Sequence, residues 1–280
     1  MAKSISVIVR TWNERVRFSA TLSALLEQHA ETPFEIVCVD SGSSDGTREL
    51  AEQAAREASV RIVDLDSTEF TYGRSLNLGA EAASGEILVF LSQDATPSHR
   101  GWLSALTAPL DRDRSLCATF GRQIARPHDN PVEVLDYARV FGGEPRRYRS
   151  DPVFSNANAA LPRARWREIP FDESLPIAED RLWAEEQQKR GFEIAYVPGA
   201  SVYHSHDFTL RSLYRRTLTE ARAYAVSGRP APSLREQGAV LRRNLWFHSH
   251  ALLRDRRFFH HAQVIAYRCT QLIAAWKGAR

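Results

Sequence analysis

The chain has 280 residues, 43% of them hydrophobic, and a formal net charge of +3, which allows one large domain or a domain with an appendage and excludes a disordered polyelectrolyte. No window approaches the roughly 18 apolar residues of a spanning helix, and residues 5–9 run straight into Arg10 without a signal-peptide cleavage pattern, so a cytoplasmic protein is expected. Cys38, Cys117 and Cys269 sit singly inside apolar runs, which suits reduced core thiols better than a disulfide or a thiolate metal cluster.

Residues 4–10 read as a first strand, running into Arg10, Thr11, Trp12, Asn13 and Glu14. A helix then follows, marked by Phe18, Leu22, Leu25 and Leu26 at helical spacing. Phe34–Asp40 is a second apolar strand closed by a carboxylate, and Ser41, Gly42, Ser43, Ser44, Asp45, Gly46 and Thr47 form a tight loop feeding a helix to about residue 58. A third strand is expected over 60–65, a helix near 74–83, and a fourth strand over Ile87–Ser92. The five consecutive apolar residues of that fourth strand suit a position covered on both faces. Ligands gather at the carboxyl ends of such strands, which is where Asp94 falls. Asp94 could equally cap a helix starting at Thr96, Pro97 and Ser98. Strand and helix alternate throughout, so the expected architecture is α/β, Rossmann-like, with a mostly parallel, doubly wound sheet.

Further on, the pattern predicts a strand over 116–122, a helix over Pro131–Val140 and a Gly-, Pro- and Arg-rich loop over 141–151. It also predicts a helix over about 178–190 closing at Gly191, and short strands at 193–197 and 200–204. From Thr209 the character changes. Leu210, Leu213, Tyr214, Thr217, Leu218, Ala221, Tyr224 and Ala225 form one helix face, with Arg211, Arg215, Arg216 and Arg222 off it. Pro230 and Pro232 interrupt, and two further helices are expected over 233–254 and 258–276. Residues 207–280 hold 13 Arg and one Lys against four acidic residues, a net of +10, which leaves −7 on the first 206. The expected division is therefore an α/β domain over 1–206 and a basic amphipathic helical extension over 207–280. Such an extension suits a membrane surface, a nucleic acid or an anionic substrate, and charge alone does not choose.

Several residues could carry chemistry. The Asp40 loop has neither GxxxxGK[ST] nor GxGxxG spacing, and Asp40 would repel a phosphate beside it. A carboxylate there suits ribose hydroxyls or a base N–H, so Asp40 with Ser41, Gly42 and Ser43 reads as a nucleoside site, with a plain capped turn as the alternative. Asp94 could hold a hard divalent cation, Mg²⁺ or Mn²⁺, against a diphosphate. His204 and His206 alternate at a strand end and so face one side, although surface histidines would look the same. Glu179 and Asp180 open a helix, where the dipole favours acids without any catalytic purpose; the functional reading is a general base. Arg74 and Asn77 share a helix face and could contact a diphosphate, although helix arginines are commonly solvated.

Taken in order, residues 10–14, 40–47, 74–79, the strand into Asp94, Glu179-Asp180 and His204 resemble the GT-A glycosyltransferases of family 2. Phe70 to Asn77, Ser92-Gln93-Asp94-Ala95, Gly121-Arg122-Gln123, Ser155-Asn156 and His204-Ser205-His206 resemble the bacterial rhamnosyltransferase branch, which builds O-antigen, capsule or cell-wall polysaccharides. The usual family Asp-x-Asp is here Ser92-Gln93-Asp94, with one carboxylate where two are common. The resemblance implies a GT-A domain with a C-terminal α-helical extension. It also implies metal-dependent, inverting transfer of L-rhamnose from dTDP-rhamnose to a hydroxyl of a polysaccharide or lipid-linked oligosaccharide. Thr11, Asn13, Asp40 and Ser43 would hold the nucleoside, within a wider donor set of Arg10, Glu14, Ser41, Gly42 and Gln93. Arg74 and Asn77 would lie near the diphosphate, Asp94 and His204 at the cation with His206 a further candidate, and Asp180 would be the base. Asn156 and Asn158 are expected at the acceptor or donor sugar. Three alternatives stay open: a family member using another UDP-, GDP- or dTDP-sugar, a nucleotidyltransferase, and a non-catalytic nucleotide-binding module. The extension carries no recognised RNA-binding motif, so no nucleic-acid partner is expected. Its arginines suit the anionic inner membrane face, or the protein's own acidic surface or a second subunit of a homo-oligomer.

Overall fold

The computed structural model describes residues 3–126, 130–151, 153–206, 208–229, 231–254 and 260–280. They divide into two compact units. The first takes in the described residues up to Ile124, Val140–Leu175 and Glu179–His204; the second takes in Ala125–Arg139, Pro176–Ala178 and the described residues from Ser205 on.

The first unit opens with β1 (Ile5–Thr11), α1 (Arg15–Leu26), β2 (Phe34–Asp40), α2 (Thr47–Ala55), β3 (Val60–Asp64), α3 (Tyr72–Ala82) and β4 (Ile87–Ser92). Strands β3, β2, β1 and β4 pair in parallel in that order, each reached through a helical crossover, as the alternation predicts. Residues 87–91 are at most 1% exposed, so β4 is covered on both faces. Cys38 and Cys117 are free thiols inside this core, and burial pushes each up to about 12.

Past β4 the sheet departs from the expected parallel order. The elements are β5 (Thr96–Pro97), α4 (Trp102–Arg112), β6 (Leu116–Ile124), β7 (Arg146–Tyr148), β8 (Asn158–Pro162), α6 (Arg163–Glu168), α7 (Glu179–Lys189) and β9 (Glu193–Tyr203). Strand β8 inserts antiparallel between β4 and β6, β6 runs parallel to β9, and β5 and β7 each pair antiparallel with β9. Two expectations change here. Thr96 and Pro97 do not open a helix but form β5 against Val202 and Tyr203, and α4 begins only at Trp102. The 141–151 segment holds β7, too short to leave a periodic signal.

The two strands expected at 193–197 and 200–204 are one strand with a register jump. Gly121 pairs with Val197, whereas Gln123 pairs with Val202, so residues 198–201 bulge out of β9. Gly121 is what permits this, because a β-carbon there would run into the Ala200 carbonyl oxygen and the Asn158 amide. Helix α7 closes at Gly191, whose φ of +88° is the left-handed conformation a helix terminus favours.

The second unit contains α5 (Pro131–Val140, its last residue in the first unit), α8 (Leu210–Val226), α9 (Leu234–Arg254) and α10 (His261–Gly278). Val132, Leu213, Leu252, Val264 and Tyr267 form its core. Gly278 packs on Leu218 and Ala221 of α8, covering part of the apolar face legible in the sequence, and Arg211, Arg215, Arg216 and Arg222 are exposed. Arg268 is instead buried and paired with Asp136, which His248 also approaches at 3.2 Å. Beside them the Tyr267 hydroxyl donates to Glu133, whose carboxyl burial raises above the usual range. The helix expected from residue 258 is described from His261, and Asp207, Pro230 and 255–259 lie outside the described residues. No helix among the described residues is long and apolar enough to cross a membrane.

Candidate active site

At the carboxyl ends of β1 and β2, two loops are joined residue by residue. Asn13 N–H donates to Ser43 Oγ at 3.1 Å and Ser44 N–H to Asn13 Oδ1 at 2.8 Å, while Glu14 N–H donates to Thr47 Oγ1 at 3.0 Å and Arg15 N–H to Asp45 at 3.0 Å. Asn13 sits at φ 43°, a left-handed conformation that Asn tolerates better than most residues. Asp40, 2% exposed, organises the second loop. Its Oδ1 accepts from Thr11 Oγ1 at 2.9 Å and Ser43 Oγ at 2.6 Å, and its Oδ2 from the N–H of Gly42 and Ser43 at 3.1 and 2.9 Å. A carboxylate offers about four acceptor positions, and all four are used inside the loop. Asp40 therefore shapes the loop, and a nucleoside N–H would have to displace one of these donors. Ser41 Oγ, also buried, has no hydrogen-bond partner among the described residues.

Gln93 clasps the first loop from β4. Its Oε1 accepts from Trp12 N–H at 2.8 Å and its Nε2 donates to Trp12 O at 3.1 Å, which holds an indole that is 58% exposed. Arg10 stacks its guanidinium 4.6 Å from the Tyr72 ring centroid. Arg74 pairs with Glu69 at 2.7 Å and Glu173 at 3.4 Å, which raise its pKa above the ordinary arginine range. Asn77 is buried and spends its whole amide on one segment. Its Oδ1 accepts from Trp166 Nε1 and Phe171 N–H, and its Nδ2 donates to Phe171 O and Glu173. The expected diphosphate contact thus gives way, for Asn77, to anchoring residues 166–173 against α3.

Beyond β4, the β5–β9 pairing brings the turn at Asp94 to the end of the strand that carries His204. Asp94 Oδ1 lies 3.5 Å from His204 Nε2, and Asp94 Oδ2 lies 3.7 Å from Arg17 Nη1. His206, the further candidate, belongs to the second unit. A carboxylate and an imidazole suit Mn²⁺ and tolerate Mg²⁺.

Asp180 is tied to the segment that leads into β8. Ser92 N–H donates to Ala157 O at 3.2 Å, and β8 then pairs Asn158 with Leu91. One residue earlier, Asn156 N–H donates to Asp180 Oδ2 at 3.1 Å, and Asp180 Oδ1 accepts from Arg181 N–H at 2.7 Å. Glu179, beside it, is 5% exposed. Asn156 is 2% exposed, and neither end of its amide has a partner among the described residues. Asn158 differs from the expectation for a sugar contact. It accepts from Trp102 Nε1 at 3.0 Å and donates to Ala200 O at 2.9 Å and Arg122 O at 3.3 Å, locking β8 to the β9 bulge.

Residues 6–164, more than half of the chain, match the family described as Glycosyl transferase family 2. The chain belongs to glycosyl transferase family 2. Among the relatives of this glycosyltransferase, the O-antigen chain rhamnosyltransferase RfbN of Salmonella typhimurium is 30% identical over 225 residues, 76% of this chain and 69% of that one. The O-antigen chain rhamnosyltransferase WbaN of Salmonella anatum is 30% identical over 227 residues, 76% of this chain and 70% of that one. The fold is shared with the mannosyltransferase PcManGT from Pyrobaculum calidifontis, solved with GDP-Man and Mn²⁺, at a TM-score of 0.68 and 20% identity over 98% of this chain and 86% of that one. The family match spans β1 to β8, and the likeness in fold to the mannosyltransferase extends over the elements that follow. Three residues at the glycosyltransferase site received no role from the sequence. Arg17 carried no signal beyond an arginine on a helix. Trp12 and Gln123 lay inside stretches that carry the family resemblance, Gln123 as a polar side chain near the end of a buried strand, but neither was assigned a contact.

Proposed function

We propose that this glycosyltransferase moves L-rhamnose from dTDP-rhamnose to a hydroxyl of a polysaccharide or lipid-linked oligosaccharide, inverting the anomeric centre. The observation that carries the reading is the Asn156–Asp180 hydrogen bond, which fixes a carboxylate on the segment flanking the turn of Asp94. The acceptor hydroxyl oxygen bonds to the anomeric carbon, the bond from that carbon to the diphosphate oxygen breaks, dTDP leaves with the electron pair, and the hydroxyl proton passes to Asp180. A single displacement of this kind inverts configuration, and a carboxylate base is what a weak hydroxyl nucleophile requires. Thr11, Asn13, Asp40, Ser41 and Ser43 form the nucleoside end, with Arg74 toward the diphosphate. Asp94 and His204 would hold Mg²⁺ or Mn²⁺, which when bound neutralises charge on a diphosphate leaving group. The orphan amide of buried Asn156 would take a sugar hydroxyl.

The sugar rests on the likeness to two O-antigen chain rhamnosyltransferases. Product detection with dTDP-rhamnose, UDP-sugars and GDP-sugars over a panel of glycan acceptors tests it. Transfer of rhamnose is expected; transfer from only the UDP- or GDP-sugars overturns the donor, and nucleotide–sugar formation from a nucleoside triphosphate and a sugar phosphate overturns the reaction.

For the second unit we propose peripheral contact with an anionic membrane face, where a lipid-linked acceptor would be presented. Arg235, Arg242 and Arg243 of α9 are exposed beside Trp246, at 64%, and Leu253, at 50%, a mixture that suits the headgroup boundary. Each such charge contributes about 1 kcal/mol near an anionic surface. The full chain should float with vesicles containing anionic lipid and not with neutral ones. Failure to float, with a concentration-dependent dimer in sedimentation, would assign the arginines to a second subunit instead.

A further inference from the structure

The two nitrogens of the His204 ring face different groups, and the fold determines which faces which. His204 Nδ1 lies 2.8 Å from Gln123 Oε1, and both residues are buried, at 3% and 4% exposure. An amide oxygen only accepts, so this contact puts the ring proton on Nδ1. Nε2, 3.5 Å from Asp94, is then the nitrogen with the lone pair.

The contact is built in by the backbone. Without the bulge at residues 198–201, Gln123 would not pair with Val202, and the jump in register sets Gln123 just short of His204, whose own N–H donates to Ile124 O at 3.0 Å. Gly121 lets the bulge approach, and Asn158 ties the bulged Ala200 carbonyl to β8. A single site is thus served by a glycine, a bulge and an amide that are not among its candidate cation ligands.

We propose that Gln123 is the positioning residue of the candidate cation site, fixing the tautomer and ring orientation of His204 so that Nε2 is presented with its lone pair toward the cation that Asp94 also serves. The proposal rests on the metal reading given above. Imidazole ligands in metal sites are commonly oriented this way through the other ring nitrogen, and loss of such a partner costs about 10–100-fold in metal affinity.

The test is Mn²⁺ binding to the full chain without donor, followed by the electron paramagnetic resonance of free Mn²⁺, for the wild type, Gln123→Leu, Gln123→Glu and His204→Ala. Gln123→Leu should weaken binding by about 10–100-fold. Gln123→Glu, whose carboxylate still accepts from Nδ1–H, should bind like the wild type or tighter, which a merely space-filling role would not give. Equal weakening by Leu and Glu, or wild-type binding by Gln123→Leu while His204→Ala fails, overturns the proposal alone. Wild-type binding by His204→Ala removes the metal reading and the proposal with it. If Gln123→Leu does not fold, ¹⁵N resonances of His204 in the metal-free wild type decide: a proton on Nδ1 supports the assignment and a proton on Nε2 overturns it.

Discussion

Asp180→Asn should lower the turnover number by about 10²- to 10⁴-fold, the range a positioned general base supplies, with donor affinity unchanged. The substitution is nearly isosteric, and the amide oxygen can still accept from either Asn156 N–H or Arg181 N–H, which in the wild type donate to Oδ2 and Oδ1 respectively. What it removes is the capacity to take a proton. The loss should therefore fall on kcat, with dTDP-rhamnose binding measured by calorimetry left as it was. Wild-type turnover would take the base role away from Asp180 and turn attention to Glu179, which is buried beside it.

A second large loss is expected for Asp94→Asn. Asp94 supplies the carboxylate 3.5 Å from His204 Nε2, so its neutralisation leaves that imidazole without a charged ligand beside it. Cation stabilisation of a leaving group supplies several kcal/mol, which corresponds to at least about 10²-fold in rate. Treating the wild type with EDTA should bring it down to the same level; added Mn²⁺ should restore the wild type and leave the variant where it was. Activity that survives EDTA would count against Asp94 and His204 as ligands. A variant that responds to Mn²⁺ like the wild type would count against Asp94 alone. The Arg17 guanidinium at 3.7 Å from Asp94 offers a fixed positive charge near the same point, and activity without a cation would make Arg17 the next side chain to remove.

How far the sequence could be read depended on how each feature is encoded. The parallel half of the sheet was legible because β1, β2 and β4 are apolar runs ending in polar residues, with amphipathic helices between them. The carboxyl end of β4 then pointed to Asp94 by a general rule of α/β folds, and the loop after β2 to Asp40, whereas Thr11 came only from the family resemblance. The mixed half was not legible. Thr96 and Pro97 look like the first turn of a helix, and only the long-range pairing with Val202 and Tyr203 makes them a strand. β8 is short and begins at an asparagine, and nothing local marks its direction. Asn77 and Asn158 illustrate a different limit. A buried carboxamide can face a ligand or complete a framework, and the sequence cannot separate the two, because the partners of Asn77 are 89 to 96 residues away and those of Asn158 are 36 to 56. Asn156 is the informative contrast, since it is equally buried but has no framework partner among the described residues. Arg268 shows the same ambiguity for charge. It contributed to the basic character of the helical extension but is enclosed and neutralised by Asp136, and so is absent from the outer surface.

The two loops stitched together through Asn13, Ser43, Asp45 and Thr47 have a thermodynamic consequence. Ordering a residue costs on the order of 1–2 kcal/mol of backbone entropy, and here that loss falls on the folding reaction, before any nucleotide arrives. Donor capture then does not have to organise its own receptor. If this rim is the nucleoside end, as proposed above, its outline is already set by hydrogen bonds within the protein, so discrimination among bases would fall to fit against a pre-ordered rim rather than to a loop that closes around whatever enters.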